Sequence, residues 1–93
     1  MAYLEITLTV APEKRAAAAA VYRKFRQPFL SEVRGAADKQ LLVRDDDVQV
    51  LHRFDTAENA AAYLETPMFS ADVVGELGPL LAAPPEVRIY DQV

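Results

Sequence analysis

The chain has 93 residues, of which 52% are hydrophobic, and it carries a formal net charge of −4. This length suits one domain with a small core, and the acidic balance argues against a nucleic-acid partner, which would require a basic surface. The absence of cysteine excludes disulfides, thiolate metal sites and thiol catalysis, and it fits a cytoplasmic location. We expect no secretory signal and no membrane association, because no segment has the required apolar length.

The first third of the sequence predicts a strand followed by a long helix. Residues 2–10 alternate between apolar and mostly polar side chains, which is typical of a strand with one buried face. Pro12 stands where a first helical turn tolerates proline, and an apolar stripe follows at helical spacing. The stripe consists of Ala18, Val21, Tyr22, Phe25 and Phe29. Pro28 lacks a backbone donor, so we expect a kink or a restart near residues 27–28, and Gly35 is a natural stop.

The remaining sequence predicts a hairpin, a second helical region and a last strand. Residues 39–44 and 48–54 are rich in β-forming residues and flank Asp45–Asp47, whose three carboxylates favour a solvated turn. Asp55 and Glu58 have the form of a capping box, which predicts a helix that stops near Pro67. Ser70 can then cap a further helical piece over residues 71–81, and Pro84–Pro85 leads into a strand over residues 86–90.

The order strand, helix, strand, strand, helix, strand predicts an α+β architecture. It is that of a ferredoxin-like βαββαβ sandwich, with both helical regions on one face of a four-stranded antiparallel sheet, in one domain over residues 1–93. One face of the central strands carries Tyr3, Thr7 and Leu51, with Leu42 nearby, and this set is too apolar to face water. We therefore predict a homodimer through the open sheet face. The sequence does not assign which strand face meets the helices.

Three segments resemble the antibiotic biosynthesis monooxygenase family of the dimeric α+β barrel superfamily. They run from Leu41 through Glu58, from Tyr63 through Phe69, and from Leu80 through Pro85. The resemblance implies a dimeric α+β barrel whose site lies between the sheet and the helices of each subunit. Relatives include cofactor-free oxygenases of polycyclic aromatic substrates and haem-degrading enzymes. Active relatives use a first-strand Asn and a helical Trp, but this chain has no Trp and its single Asn is Asn59, so haem degradation is not expected.

His52 and Tyr63 are the candidate catalytic residues. His52 is the single histidine, and it shares a strand face with apolar residues, where an imidazole can act as a base or can simply be packed in the core. The candidate substrate-binding residues are large side chains from both helical regions, which alternatively form an ordinary core. They are Tyr22, Phe25, Phe29, Met68 and Phe69. We predict no cofactor and no metal, because one histidine without suitably spaced ligands does not make a metal site.

The charged residues are divided unevenly along the chain. The first 44 residues hold eight of the ten Lys and Arg residues, and the later residues hold ten of the fourteen Asp and Glu residues. Charge runs are usually solvated faces, and the alternative is that the basic first helix meets an anionic substrate or the acidic half of a partner subunit.

Two functions remain open at this level. The first is a small-molecule-binding protein, with cofactor-independent oxygenation of an aromatic or quinol substrate as its activity. The second is a non-enzymatic dimeric binding or interaction module with a fully packed core. A cavity of roughly 300–1,000 Å³ that touches His52 would favour the first, and a closed interface between sheet and helices would favour the second.

Overall fold

The computed structural model describes every residue from Met1 to Val93 and is built on four strands. These are β1 (Ala2–Leu8), β2 (Ala36–Val43), β3 (Val48–Phe54) and β4 (Glu86–Asp91). The helices are α1 (Arg15–Glu32), α2 (Ala57–Tyr63) and α3 (Pro67–Phe69), and α3 continues directly as a π-helical segment, Ser70–Leu77. Single 3₁₀ turns lie at Pro12–Lys14 and Gly78–Leu80.

The four strands form one antiparallel sheet in the order β2-β3-β1-β4. This is the ferredoxin-like α+β fold, and the prediction from sequence is confirmed. None of the helices is both long enough and apolar enough to cross a membrane. The cytoplasmic location stays a prediction.

Alternation in the two central strands decides which sheet face is covered. In β1 every second side chain from Ala2 to Leu8 is buried, and in β3 the buried set runs from Val48 to Phe54 with the same period. Leu4, Ile6 and Leu8 of β1 and Val48, Val50 and Phe54 of β3 form one core cluster with residues of α1, α2 and the π-helical segment, so the helices lie on this face. The opposite face carries Tyr3, Thr7, Leu42 and Leu51 together with charged side chains. The structure thus shows which strand face meets the helices, which the sequence did not assign.

The first helix passes through its proline without interruption. We expected a kink or a restart near residues 27–28, but α1 continues across Pro28 to Glu32, so a restart there is wrong. Pro28 costs one backbone hydrogen bond, because it has no N–H to donate to the carbonyl of Lys24, and Lys24 is exposed so that water can reach that carbonyl. Burial of Phe29 directly after the proline holds the last turn against the sheet.

The caps of the second helical region differ from those that the sequence predicted. Thr56, not Asp55, is the N-cap of α2, because its hydroxyl accepts from the backbone N–H of Asn59 at 3.1 Å. The α2 helix ends at Tyr63. Thr66 caps α3 by accepting from the backbone N–H of Phe69 at 3.3 Å, whereas Ser70, the predicted cap, lies inside the continuous helical run. In both cases a threonine that precedes the helix, one residue after Asp55 and four residues before Ser70, accepts the capping hydrogen bond instead.

Gly35 makes the tight connection between α1 and β2. Its φ of +78° is unfavourable for other residues, and a Cβ at this position would collide with the side chains of Asp55 and Asn59. The Asp55 backbone N–H also donates to the Gly35 carbonyl at 3.0 Å, so this glycine joins the start of β2 to the end of β3.

Candidate functional site

A buried ion pair lies between the sheet and the helices. Lys39 Nζ of β2 lies 3.0 Å from Asp72 Oδ2 of the π-helical segment, and the two residues are only 1% and 2% exposed. The other carboxylate oxygen, Asp72 Oδ1, has no hydrogen-bond partner in the chain. Charged groups are rarely buried to this extent, because removal from water costs several kcal/mol per ion. The pair is therefore a candidate functional feature.

A β-bulge turns Lys39 into the core. Ala36 pairs with Phe54 and Asp38 pairs with Arg53, so Ala37 is the extra residue in β2. Without this extra residue the Lys39 side chain would point to the open sheet face, because one residue of register exchanges the two faces. With it, Lys39 pairs with His52 in the register on the covered face.

Side chains from α1 hold the backbone of Lys39 in place. The Tyr22 hydroxyl donates to the Lys39 carbonyl at 2.8 Å, and Arg26 Nε donates to the same oxygen at 3.1 Å. Arg26 also reaches the Asp38 carboxylate at 3.5 Å. The position of the buried ammonium group therefore depends on α1 as well as on the sheet.

His52 and Tyr63 complete a buried polar cluster, defined here as Lys39, His52, Tyr63 and Asp72. His52 Nδ1 lies 3.2 Å from the Leu4 carbonyl, which can only accept, so Nδ1 carries the hydrogen and Nε2 is left as an acceptor. Neither His52 Nε2 nor the Tyr63 hydroxyl has a hydrogen-bond partner in the chain, although both residues are 1% exposed. The cluster thus contains three unpartnered polar atoms, each of which costs about 1–3 kcal/mol.

Burial and mutual charge shift every titratable group of the cluster. Burial, and then the charge of Lys39, lower the pKa of His52 to about 3, so its imidazole is neutral at physiological pH. Burial raises the pKa of Asp72 and of Tyr63, and the field of Asp72 raises that of Tyr63 further. Burial also lowers the pKa of Lys39, against the opposing effect of Asp72. At neutral pH His52 and Tyr63 therefore act as uncharged hydrogen-bonding groups.

Aromatic rings surround the polar atoms of the cluster. The Phe29 ring contacts those of His52 and Tyr63 edge-on, with centroids 5.1 and 5.2 Å apart. Lys39 Nζ lies 5.3 Å from the centroid of the same Phe29 ring, and Phe69 packs on Tyr63 at 5.7 Å. The polar atoms of the cluster are therefore enclosed by aromatic rings that are in contact with one another.

A surface cavity of about 310 Å³ ends on Tyr63. Its wall includes Ala62, Thr66 and Met68, and it opens between α2 and the end of α1. None of the four surface cavities is lined by Lys39, His52 or Asp72, so in the single chain this cavity reaches the buried cluster only at Tyr63. Any ligand that reaches the cluster from this side must pass Tyr63.

Solved structures of other proteins share this fold. A Nitrosomonas europaea protein provisionally named an antibiotic biosynthesis monooxygenase superposes with a TM-score of 0.82 at 20% sequence identity, covering 100% of this chain and 99% of that one. A Bordetella bronchiseptica protein with the same provisional name gives 0.83 at 21% identity, covering 99% and 97%. The chain has the antibiotic biosynthesis monooxygenase fold. A conserved Methanosarcina mazei protein shares it as well, with a TM-score of 0.83, 16% identity and coverages of 99% and 92%.

The resemblance predicted from sequence is thereby confirmed for the antibiotic biosynthesis monooxygenase fold. No protein-family model and no curated protein matches the chain. Sequence identities this low establish the shared architecture, and an activity has to be argued from the residues of this chain.

The residues predicted to form a site within this antibiotic biosynthesis monooxygenase fold lie in one layer. The structure brings together His52, Tyr63, Phe29 and Phe69 in ring contacts. The other three predicted residues lie around them. The centroid of the Phe25 ring lies 6.0 Å from Lys39 Nζ, and Met68 lines the surface cavity. The Tyr22 hydroxyl donates to the Lys39 carbonyl. Their roles in catalysis and substrate binding stay predictions.

Sequence reasoning missed both members of the buried ion pair. Lys39 has the same parity in its strand as Leu41 and Val43, which was a usable sign that it points to the core. Asp72 stands directly before Val73 within an apolar helical piece, but its burial depends on π-helical geometry, which no local signal predicts. The pair is 33 residues apart in sequence, so only the tertiary structure shows it.

Proposed function

We propose that this chain is a small-molecule-binding protein that takes an aromatic or quinol ligand between its sheet and helices and oxygenates it without a cofactor. The observation that carries the proposal is the buried polar cluster, with its three unpartnered polar atoms inside an aromatic shell. Solved structures of the same fold that are provisionally named antibiotic biosynthesis monooxygenases support it. An ionised quinol can itself donate electrons to O₂, which is why such a reaction needs no bound cofactor.

The unpartnered atoms define what the ligand must present. His52 Nε2 accepts from a hydroxyl, and the Tyr63 hydroxyl can donate or accept. A ligand hydroxyl placed between them would satisfy groups that the chain leaves unsatisfied, while its ring would pack against Phe29 and Phe69. A purely apolar ligand would leave the buried polar atoms without hydrogen bonds, so their desolvation cost would remain.

Filling the surface cavity tests whether it is part of the binding site. We expect Ala62→Phe, which fills the cavity that ends on Tyr63, to weaken binding of p-nitrophenol at least about tenfold, which corresponds to about 1.4 kcal/mol. Ala61→Phe is the matched control, because Ala61 is also an exposed residue of α2 but does not line the cavity. Isothermal titration calorimetry measures both. Equal affinities for the two variants would show that the ligand does not occupy this cavity.

Oxygen uptake tests the chemical part of the proposal. A naphthalene hydroquinone incubated with the protein should consume O₂ faster than the same hydroquinone alone, and mass spectrometry should show one added oxygen atom in the product. Binding without catalysed uptake would leave a binding module.

The alternative function, a non-enzymatic dimer with a packed core, is favoured by one observation. His52 lines no cavity in the single chain, so the layer around it is closed. Failure of every aromatic hydroxyl compound to bind would favour this alternative.

We also propose that two copies pair through the open sheet face. Leu51 lies at the centre of that face, opposite Glu5 of β1 and Gln40 of β2, and Leu42 is 44% exposed beside them. A two-fold partner would cover these apolar groups and could match the mixed charges of the face, such as Glu5 and Arg88, with one another.

A charge at the centre of this face should separate the dimer. We expect Leu51→Lys to weaken self-association at least a hundredfold in analytical ultracentrifugation, because the ammonium group would have to be buried in the interface. The monomer should tolerate the change, since Glu5 lies opposite as an intrachain partner. Val43→Lys is the control, because Val43 is 63% exposed and belongs to the helical face. A wild-type protein that is monomeric at micromolar concentration would contradict the dimer.

A further inference from the structure

The buried ion pair has unused hydrogen-bonding capacity on both partners. Asp72 Oδ1 is unpartnered, and Lys39 Nζ has one hydrogen bond, to Asp72 Oδ2, out of the three that an ammonium group can donate. Both groups are essentially inaccessible, so water does not readily compensate either of them. A ligand oxygen bound beside the pair could therefore contact an acceptor and a cation at once.

The charge balance of the layer restricts which group can accept a proton from a ligand. His52 is already in the repulsive field of Lys39, so protonation of Nε2 would place a second cation in a buried region. Transfer to Asp72 creates no new charge, because the negative charge moves from the carboxylate to the ligand oxygen while Lys39 stays next to it. The pKa of Asp72 is raised by burial, which makes this carboxylate a better base than an exposed one.

We propose that Asp72, and not His52, is the proton acceptor of the site, and that its substrate is a phenol or an enol bound as the oxyanion beside Lys39. This inference rests on the proposed function and names its substrate class. The O–H bond of the substrate breaks, its proton goes to Asp72 Oδ1, and its electron pair stays on the substrate oxygen, where the Lys39 ammonium stabilises it. His52 Nε2 remains neutral throughout.

Charge excludes one other substrate class, and acidity excludes a second. A carboxylic acid would arrive ionised and add a second negative charge next to Asp72. An aliphatic alcohol is too weak an acid for a carboxylate to ionise. A phenol or enol lies between them, and its ring fits the shell formed by Phe29 and Phe69.

Two spectra of one complex test the proposal. The probe is p-nitrophenol at a pH below its own pKa, where the free probe is mainly neutral and does not absorb visible light as the phenolate does. We expect the wild-type protein to bind it as the phenolate, and the infrared difference spectrum to gain the C=O band of a protonated carboxyl group. Asp72→Asn should lose that band. In whatever complex His52→Gln still forms, at any affinity, the bound probe should be the phenolate and the band should be present. Circular dichroism checks that the variants are folded.

The methyl ether of the probe, p-nitroanisole, separates this inference from the proposed function. It has no proton to give, so we expect it to bind wild type and Asp72→Asn without any carboxyl band. A probe that binds as the neutral phenol, or a phenolate complex without the carboxyl band, overturns the inference and leaves the proposed function standing. If neither probe nor ether binds the wild-type protein, the proposed function fails and the inference fails with it.

Discussion

Replacing Lys39 by Ala should lower the free energy of unfolding by about 3–5 kcal/mol. The substitution leaves Asp72 buried without its countercharge, since the carboxylate has no other ionic partner in the layer. Urea denaturation followed by circular dichroism, at one fixed protein concentration, measures the change. The loss is a large part of the stability that a domain of this size normally has.

The double variant Lys39→Met/Asp72→Leu is the matched control. It removes both charges and keeps the volume of the layer, so we expect stability equal to that of the wild type or higher by about 1–4 kcal/mol. That pattern would show that the ion pair is not kept for stability. A double variant as unstable as Lys39→Ala would contradict this and assign the pair a structural role.

Acid should destabilise the fold through His52. The pKa of the folded imidazole is lowered to about 3 from the ordinary value of 6.5, so below pH 6.5 the unfolded chain takes up a proton that the folded chain does not. Stability therefore falls as the pH decreases from 6.5 towards 3. The loss due to this residue should reach about 3 kcal/mol at about pH 4.

His52→Gln isolates this contribution, because glutamine does not titrate and all other ionisable groups remain. Urea denaturation of both proteins at pH 7 and at about pH 4 gives the comparison, and the wild type should lose about 3 kcal/mol more than the variant. Equal losses would mean that His52 can be protonated in the folded protein, and His52 would then again be a candidate base.

The sequence predicted the architecture because its signals were local and periodic. Alternation in β1 and β3, the apolar stripe of α1 and the acidic turn at Asp45–Asp47 each correspond to an element of the structure. The errors at Asp55, Ser70 and Pro28 concern helix ends and one missing hydrogen bond, where neighbouring residues compete on small energy differences.

The candidate site was only partly predictable. His52 and Tyr63 stood out because a histidine and a tyrosine lay among apolar residues. Lys39 and Asp72 did not. Lys39 shares its strand parity with Leu41 and Val43, but lysines are almost never fully buried, and burial of Asp72 depends on a π-helical segment that no local pattern predicts. The uneven charge distribution predicts a solvated face for the basic half of the chain, which includes Lys39. Burial of a single lysine depends on the whole fold.

The bonds from α1 to the Lys39 carbonyl also bear on how this protein avoids fibre-like association. β2 is an edge strand, and edge strands offer unpaired backbone groups to strands of other molecules. Tyr22 and Arg26 already occupy this carbonyl, and the bulge at Ala37 breaks the regular spacing that an incoming strand would need. The bulge that turns Lys39 into the core thus also makes β2 a poor edge strand for the addition of a strand from another molecule.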